Sequence, residues 1–319
     1  MTTVATWNIE NLFLPGSEYG PPDLESYEAK LAMLAGTIDS LDADVISLQE
    51  VGDPAALDDL VARLHGMWEA RLSQAPDPRG IRVAVLSRLP VLSSHDIVEL
   101  PGLLQPPQIS DLGEKLERLR RGALATTVAA SSGPLTLVAC HLKSKLLTFP
   151  GGRFSPRSED ERARYAAYAI MQRAVEAATI RDGVNTNLDG AGPSTALILA
   201  GDLNDGADAA TTQILLGPGG SEIGTAGENR PDRGDGWRLW NLAPLLQPLP
   251  DGSAAYTRIY RGRREVIDHL LVTRAVLDRL DRTSVRVVLD SPLPSVADDP
   301  TRRRGAIGSD HAPLVAVIP

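Results

Sequence analysis

Bounded apolar runs punctuate the chain at VATWNIEN (4–11), ADVISLQEV (43–51), IRVAVLSR (81–88), ALATTVAA (123–130), LTLVACHLKSK (135–145), TALILAGDLND (195–205) and EVIDHLLV (265–272). Short runs of this kind, rich in β-branched residues and closed by Gly, Asp, Asn or Pro, predict buried strands. Several of them stop in polar residues. A last run, IGSDHAPLVAVI (307–318), reverses the order and enters its strand from the polar side. Apolar residues at helical spacing predict helices over 23–41 and 54–65. Ser158-Glu159-Asp160-Glu161 has the form of a capping box, opening a helix to about 180. Gly/Pro-rich stretches at 101–107, 148–156 and 217–236 predict surface loops. Motif-bearing strands lie on both sides of each loop, so the pattern predicts one α/β domain over 1–319.

Composition narrows the class. With 319 residues, 43% hydrophobic and 23% charged, the chain is neither disordered nor fibrous. No apolar run reaches the roughly 18 residues of a membrane span. The start, MTTVATWNIENLF, lacks the basic and apolar regions of a secretion signal. One cysteine, Cys140, cannot form an internal disulfide, and no Cys/His zinc spacing exists. These features predict a cytoplasmic setting, and nothing marks an obligate protein partner. The formal charge is −9, so a polyanionic substrate has to be held by local cations or a metal. Two of the four lysines, Lys143 and Lys145, stand together.

Polar residues at the ends of the buried runs form the candidate chemistry: Asn8, Glu50, His141, Asp202, Asn204, Asp268, Asp310 and His311. Strand alternation predicts that Asp202 and Asn204 face the same way, with Leu203 packed behind. It also places His141, Lys143 and Lys145 along one side of an extended strand. Asp268 and His269 then face opposite ways, so that His269 is structural if Asp268 faces the site. Carboxylates and carboxamides are the hard ligands that Mg²⁺ takes beside phosphate. Histidine supplies proton transfer near neutrality, and a carboxylate such as Asp268 can fix an imidazole's tautomer. The inventory is that of metal-assisted phosphoester hydrolysis, without a nucleotide P-loop or a G-x-S-x-G elbow.

TWNIENLF, DVISLQE, HLKSK, GDLND, EVIDHLLV and SDHAPL, in this order over residues 3–318, resemble the endonuclease/exonuclease/phosphatase (DNase I-like) superfamily. That superfamily includes DNase I-like nucleases, AP endonucleases, sphingomyelinases and inositol polyphosphate 5-phosphatases. HLKSK has the form seen in its bacterial extracellular-type nucleases. The resemblance implies a four-layered α/β sandwich, two mixed β-sheets packed face to face with flanking helices. It implies Glu50 as the main Mg²⁺ ligand, with Asn8 and Asp310 beside it and Mn²⁺ as the alternative ion. Asp202 would activate the attacking water, Asn204 would hold a phosphate oxygen, and His311 would contact the scissile phosphate with Asp268 behind it. His141 would be the second phosphate-side histidine; AP endonucleases carry tyrosine there, which argues against abasic-site repair. Arg121 matches a family arginine near the site.

The implied function is a Mg²⁺-dependent phosphodiesterase, a nuclease acting on DNA or RNA. Lys143 and Lys145 would then meet the flanking phosphates, helped by Arg153 and Arg157. The alternatives are hydrolysis of a phospholipid headgroup or of an inositol phosphate. An aromatic content of 4% speaks against bilayer docking. A catalytically inactive binding module is the third reading, disfavoured because every expected catalytic position is filled. Arg302-Arg303-Arg304 reads as a solvated loop, Trp237 and Trp240 as packing residues, and Cys140 as a small buried hydrophobe.

Overall fold

The structure, a computed structural model, describes residues 1–220 and 222–319, so residue 221 of the expected loop 217–236 lies outside it. In chain order, β1 (Thr2–Leu12) leads through α1 (Leu24–Ser40) to β2 (Val45–Val51). Then follow α2 (Pro54–Val61), β3 (Glu69–Leu72), β4 (Arg82–Ser87), β5 (Val91–Glu99), β6 (Arg118–Ala130) and β7 (Gly133–His141). The long α3 (Glu159–Leu188) precedes β8 (Leu197–Asp202), α4 (Ala210–Leu216), β9 (Trp240–Asn241), β10 (Arg258–Tyr260), β11 (Arg263–Glu265) and β12 (Asp268–Val272). α5 (Arg274–Leu277), β13 (Asp281–Val287), β14 (Ser295–Val296) and β15 (Leu314–Ile318) complete the chain.

The strands form two six-stranded mixed sheets, ordered β13-β15-β1-β2-β4-β3 and β5-β6-β7-β8-β12-β9, and a small sheet β11-β10-β14. The parallel pairs are β1–β2 and β7–β8 in the large sheets, and β10–β14 in the small one. Alternation along the strands builds the layers. Val4, Val45 and Val83 of the first sheet meet Leu137, Ile198 and Leu270 of the second in the core between the sheets. Ala5, Ile46 and Leu86 point the other way, onto Leu31, Leu34 and Ile38 of α1 and Leu57 and Leu60 of α2. Val138, Cys140 and Leu199 similarly meet Ala177, Ile180 and Val184 of α3. Helix, sheet, sheet and helix make the expected four-layered α/β sandwich. No helix among the described residues is long and apolar enough to cross a membrane.

Several boundaries differ from the expectation for local reasons. β7 stops at His141, not at 145, because Lys143 gives its backbone N–H to Glu176 of α3 instead of to a neighbouring strand. β8 stops at Asp202, since Asn204 turns into the left-handed region (φ 53°). α2 ends at Val61, after which Arg63 and Leu64 hydrogen-bond three residues back. Ser158 caps α3 by accepting from the Glu161 N–H, but no reciprocal box closes: the Glu161 carboxylate takes the Arg157 N–H and the Arg153 guanidinium. Arg153 is thereby committed to a structural partner and not held free for substrate.

Candidate active site

Strand register brings the centre together. β7 and β8 pair His141 with Asp202, and β8 and β12 pair Asp202 with Asp268, so three chemically active residues stand abreast. Gly201 permits the close approach: a Cβ there would lie 1.9 Å from the Cys140 carbonyl oxygen. From the other sheet, the Asn8 carboxamide bridges the two, donating to Asp202 Oδ2 at 3.1 Å and to Glu50 Oε1 at 3.4 Å. The β1–β2 and β2–β4 registers shift beside Asn8 and around Glu50, the mark of a bulge that re-aims a side chain. Glu10, Asn11, Glu50 and Asn204 all hold positive φ, between 50° and 65°. Such a conformation costs a non-glycine residue about 1–2 kcal/mol, and its concentration here shows how firmly the surroundings define this edge.

Asp202 is the focus. Its Oδ2 faces Asn8 Nδ2, His141 Nε2 at 3.5 Å and His311 Nε2 at 3.8 Å, while its Oδ1 accepts the Asn204 backbone N–H at 2.8 Å. His311 Nδ1 lies 2.8 Å from Asp268 Oδ2. Ser309 fastens the His311 loop, donating to Asn8 O at 2.6 Å and accepting the His311 N–H at 3.0 Å. All of Asn8, His141, Asp202, Asn204, Asp268, Asp310 and His311 are buried, and Glu50 is half-buried.

Burial disfavours the charged form of every group here, and neighbouring charge decides which groups keep it. For His311, burial alone would lower the pKa, but Asp268, Asp202 and Asp310 together raise it to about 10. His311 is therefore an imidazolium at neutral pH, donating from Nδ1 to Asp268 and presenting Nε2–H beside Asp202. Burial, reinforced by Asp268, lifts Asp202 to about 6 against the opposing pull of His311. His141 is driven well below the ordinary histidine value by burial and by Arg121 and His311, so its ring is neutral. The centre thus holds a cation, a neutral imidazole and a carboxylate poised near neutrality.

Of the three metal residues nominated from the sequence, Asn8 and Glu50 touch directly. Glu50 sits with Asn8 and accepts the Asn11 N–H at 3.0 Å. Asp310 lies 3.4 Å from Arg258 Nε, with its backbone N–H on Glu10 Oε2 at 3.0 Å. Among the described residues, the closest group of His and carboxylate ligand atoms is Asp202, Asp268 and His311, all within 4.8 Å of one another. Unused oxygen capacity remains nearby, since Asp268 Oδ1 and Asn11 Oδ1 are buried without a partner.

Of the nominated cations, Arg121 donates to Leu142 O at 3.0 Å, the same carbonyl that takes Asn204 Nδ2 at 3.0 Å, so it adjoins the centre. The lysines do not line one face. Lys143 Nζ folds onto the Ser144 and Leu146 carbonyls at 3.0 and 2.8 Å, and burial with nearby Arg121 lowers it to about 7. Lys145 is half-exposed, 3.4 Å from Asp205. The extended strand that would have aligned them ends at His141.

Glu10, not nominated from the sequence, also organises the centre. Arg303 grips Glu10 with two hydrogen bonds of 2.6 Å, and Glu10 in turn holds the Asp310 N–H. Arg304 bonds the Gly20 and Ser17 carbonyls. The arginine run is therefore in part a clamp and not simply a solvated loop. Nearly 300 residues separate Glu10 from Arg303 (|i−j| = 293), so no local pattern could have announced the pair. His269 faces away from Asp202, lodged between Asp205 O at 2.9 Å and Asn241 Nδ2 at 3.2 Å. Trp240 is core, whereas Trp237 is partly exposed.

The sequence profile of the Endonuclease/Exonuclease/phosphatase family matches residues 5–311. No curated protein matches the chain. Three solved structures illustrate the likeness in fold. A functionally unknown conserved protein from Enterococcus faecalis V583 is 16% identical, with 99% of each chain covered and a TM-score of 0.57. The 3'-5' exonuclease NExo from Neisseria meningitidis is 20% identical, with 99% of each chain covered and a TM-score of 0.53. Sphingomyelinase C from Streptomyces griseocarneus is 15% identical, covering 99% of this chain and 98% of that one, with a TM-score of 0.53.

Proposed function

Because the chain belongs to the endonuclease/exonuclease/phosphatase family, we propose that it is a metal-dependent phosphodiesterase, a nuclease acting on DNA or RNA. The observation that carries this reading is the convergence of Asn8, His141 and His311 on one oxygen of a buried carboxylate, Asp202. The donor set fits a hard cation: Glu50 accepts from uncharged groups only, and buried oxygens of Asp268 and Asn11 stand unpaired. Glu50, Asn8 and Asp310 would hold Mg²⁺ or Mn²⁺, which supplies charge neutralisation at the phosphate.

Asp202 accepts a proton from water as the water oxygen bonds to phosphorus and one P–O ester bond breaks. A carboxyl lifted to about 6 is a better base than an ordinary aspartate and remains largely ionised at neutral pH. His311 offers its Nε2–H to a phosphoryl oxygen while Asp268 keeps the ring oriented through Nδ1. Neutral His141 supplies a second donor without adding a charge that would compete with His311. The Asn204 carboxamide, bonded to Leu142 O, would exchange that carbonyl for a phosphate oxygen.

The test is hydrolysis by the pure protein, with Mg²⁺ or Mn²⁺, of plasmid, single-stranded DNA, RNA, sphingomyelin and inositol phosphates. The expected result is release of nucleotides or nicked polynucleotide, weakened by salt as phosphate contacts are screened. Preference for sphingomyelin or an inositol phosphate would replace the substrate assignment. Inertness towards all of them would favour a binding module.

A further inference from the structure

A cavity of about 730 Å³ opens beside the catalytic cluster and is not used by the mechanism above. It lies within the range of roughly 300–1,000 Å³ typical of small-ligand sites. Asn11, whose N–H holds Glu50, and Arg121, which shares the Leu142 carbonyl with Asn204, line it and tie it to the centre. One wall is aromatic: Phe149 and Tyr165 lie 5.1 Å apart between centroids, and Tyr165 and Tyr168 stack edge-on at 5.5 Å. Asn11 Oδ1, Ser110 Oγ and Tyr165 Oη, all on residues of the lining, are buried without a hydrogen-bond partner. Unpartnered buried polar atoms are uncommon in folded proteins, and the Ser110 and Tyr165 hydroxyls, both on residues of this lining, point to a ligand with matching donors and acceptors. Arg79 and Arg121, also on the lining, share the Asp77 carboxylate at 3.7 and 3.3 Å, and Glu18 lies on the same lining.

We propose that this cavity binds one unpaired nucleoside unit of the substrate, its base against the Phe149–Tyr165–Tyr168 wall and its sugar-phosphate towards Asn11 and Arg121. The proposal rests on the nuclease reading and deepens it. A base has the π-face that suits an aromatic wall and the edge groups that suit unpaired hydroxyls. A quaternary ammonium also suits an aromatic wall but has no N–H to offer a hydroxyl oxygen, and an inositol ring has no π-face. Because the base must leave any duplex to enter, single strands and frayed ends are the preferred substrates.

The experiment is binding to the full chain in excess chelator, followed by calorimetry and saturation-transfer NMR. The probes are dAMP, dTMP, deoxyribose 5-phosphate, phosphocholine and inositol 1-phosphate. Base protons should receive the strongest transfer, and removing the base should weaken binding about 10-fold or more. Tyr165→Phe, which keeps the ring, should weaken nucleotide binding by several-fold, the scale of one lost hydrogen bond. Tighter binding of a short single strand than of dAMP assigns the pocket to a chain end, and equal binding assigns it to free nucleotides; either supports the nucleoside chemistry. Deoxyribose 5-phosphate, phosphocholine or inositol phosphate binding as tightly as dAMP to the wild-type chain would overturn the proposal. Turnover of bis(p-nitrophenyl) phosphate with Mg²⁺ separates the two readings. Turnover without nucleotide binding sinks the pocket alone, whereas nucleotide binding without turnover supports the pocket and sinks the phosphodiesterase.

Discussion

Replacing His269 by alanine removes an imidazole that lies one residue from the centre and faces away from it. His269 is 1% exposed. Its Nε2 lies 2.9 Å from the Asp205 carbonyl, which can only accept, so that nitrogen carries the proton. Its Nδ1, 3.2 Å from Asn241 Nδ2, must then accept, and the ring is neutral with both nitrogens satisfied. Truncation leaves a cavity costing about 2–3 kcal/mol. It also leaves the Asp205 carbonyl and the Asn241 amide without partners, at about 1 kcal/mol each where water can partly enter. The sum, about 4–5 kcal/mol, corresponds in a chain of this size to a fall in Tm of roughly 6–8 °C. Turnover at 25 °C should stay within a few-fold of wild type. His311→Ala should instead lower kcat on the order of 10²-fold or more.

The pH dependence of stability checks the same geometry. Burial holds His269 below the usual histidine value, so the folded chain resists a proton that the unfolded chain accepts below about 6.5. Its stabilising contribution is therefore complete above that pH and is lost as pH falls towards the folded pKa, by up to about 1.4 kcal/mol per unit. The stability gap between wild type and His269→Ala should narrow on acidification. Thermal melts, denaturant titrations at pH 5 to 8 and initial rates on one diester provide the comparison. An unchanged Tm, or equal loss of turnover in well-folded His269→Ala and His311→Ala proteins, would refute the assignment.

Asn204 separates strain from chemistry: Asn204→Ala and Asn204→Gly both lose the bond to Leu142 O and lower kcat, while Asn204→Ala should be about 1 kcal/mol less stable than Asn204→Gly, the cost of a left-handed alanine at φ 53°; denaturation midpoints and rates decide it. Arg303→Met should leave the buried Glu10 carboxylate without its partner and destabilise by about 2–3 kcal/mol, less than a fully buried pair because the arginine is partly exposed. Glu10→Gln in that background should recover part of the loss, as a double-mutant cycle would show. Lys145→Ala, which loses a half-exposed contact to Asp205, should change stability by no more than about 0.5 kcal/mol in urea titrations.

Much of the centre was legible because it rests on regular strands. The alternation that nominated His141, Asp202 and Asp268 survives as direct pairing across β7, β8 and β12. The same arithmetic failed for Lys143 and Lys145, both beyond the strand end, where a turn and not a pleat sets direction. Arg258 was missed because TRIYRGRRE has no apolar alternation; its strand belongs to the small sheet, placed by tertiary contacts with β14 and by a bridge to His311. Glu10 was invisible because the chain leaves strand geometry there, at φ 50°. Layering was readable from composition of the runs, whereas short polar strands such as β3 and β11 carry too little hydrophobic signal.

The most direct measurement is the initial rate of bis(p-nitrophenyl) phosphate hydrolysis by wild type and Asp202→Asn, each with Mg²⁺ and in excess chelator, across pH 5 to 9. The account predicts turnover only in wild type with metal, rising with pH through about 6 as Asp202 ionises, and a loss on the order of 10²-fold or more in the folded Asp202→Asn protein. Equal rates in chelator, or an Asp202→Asn protein as active as wild type, would contradict it.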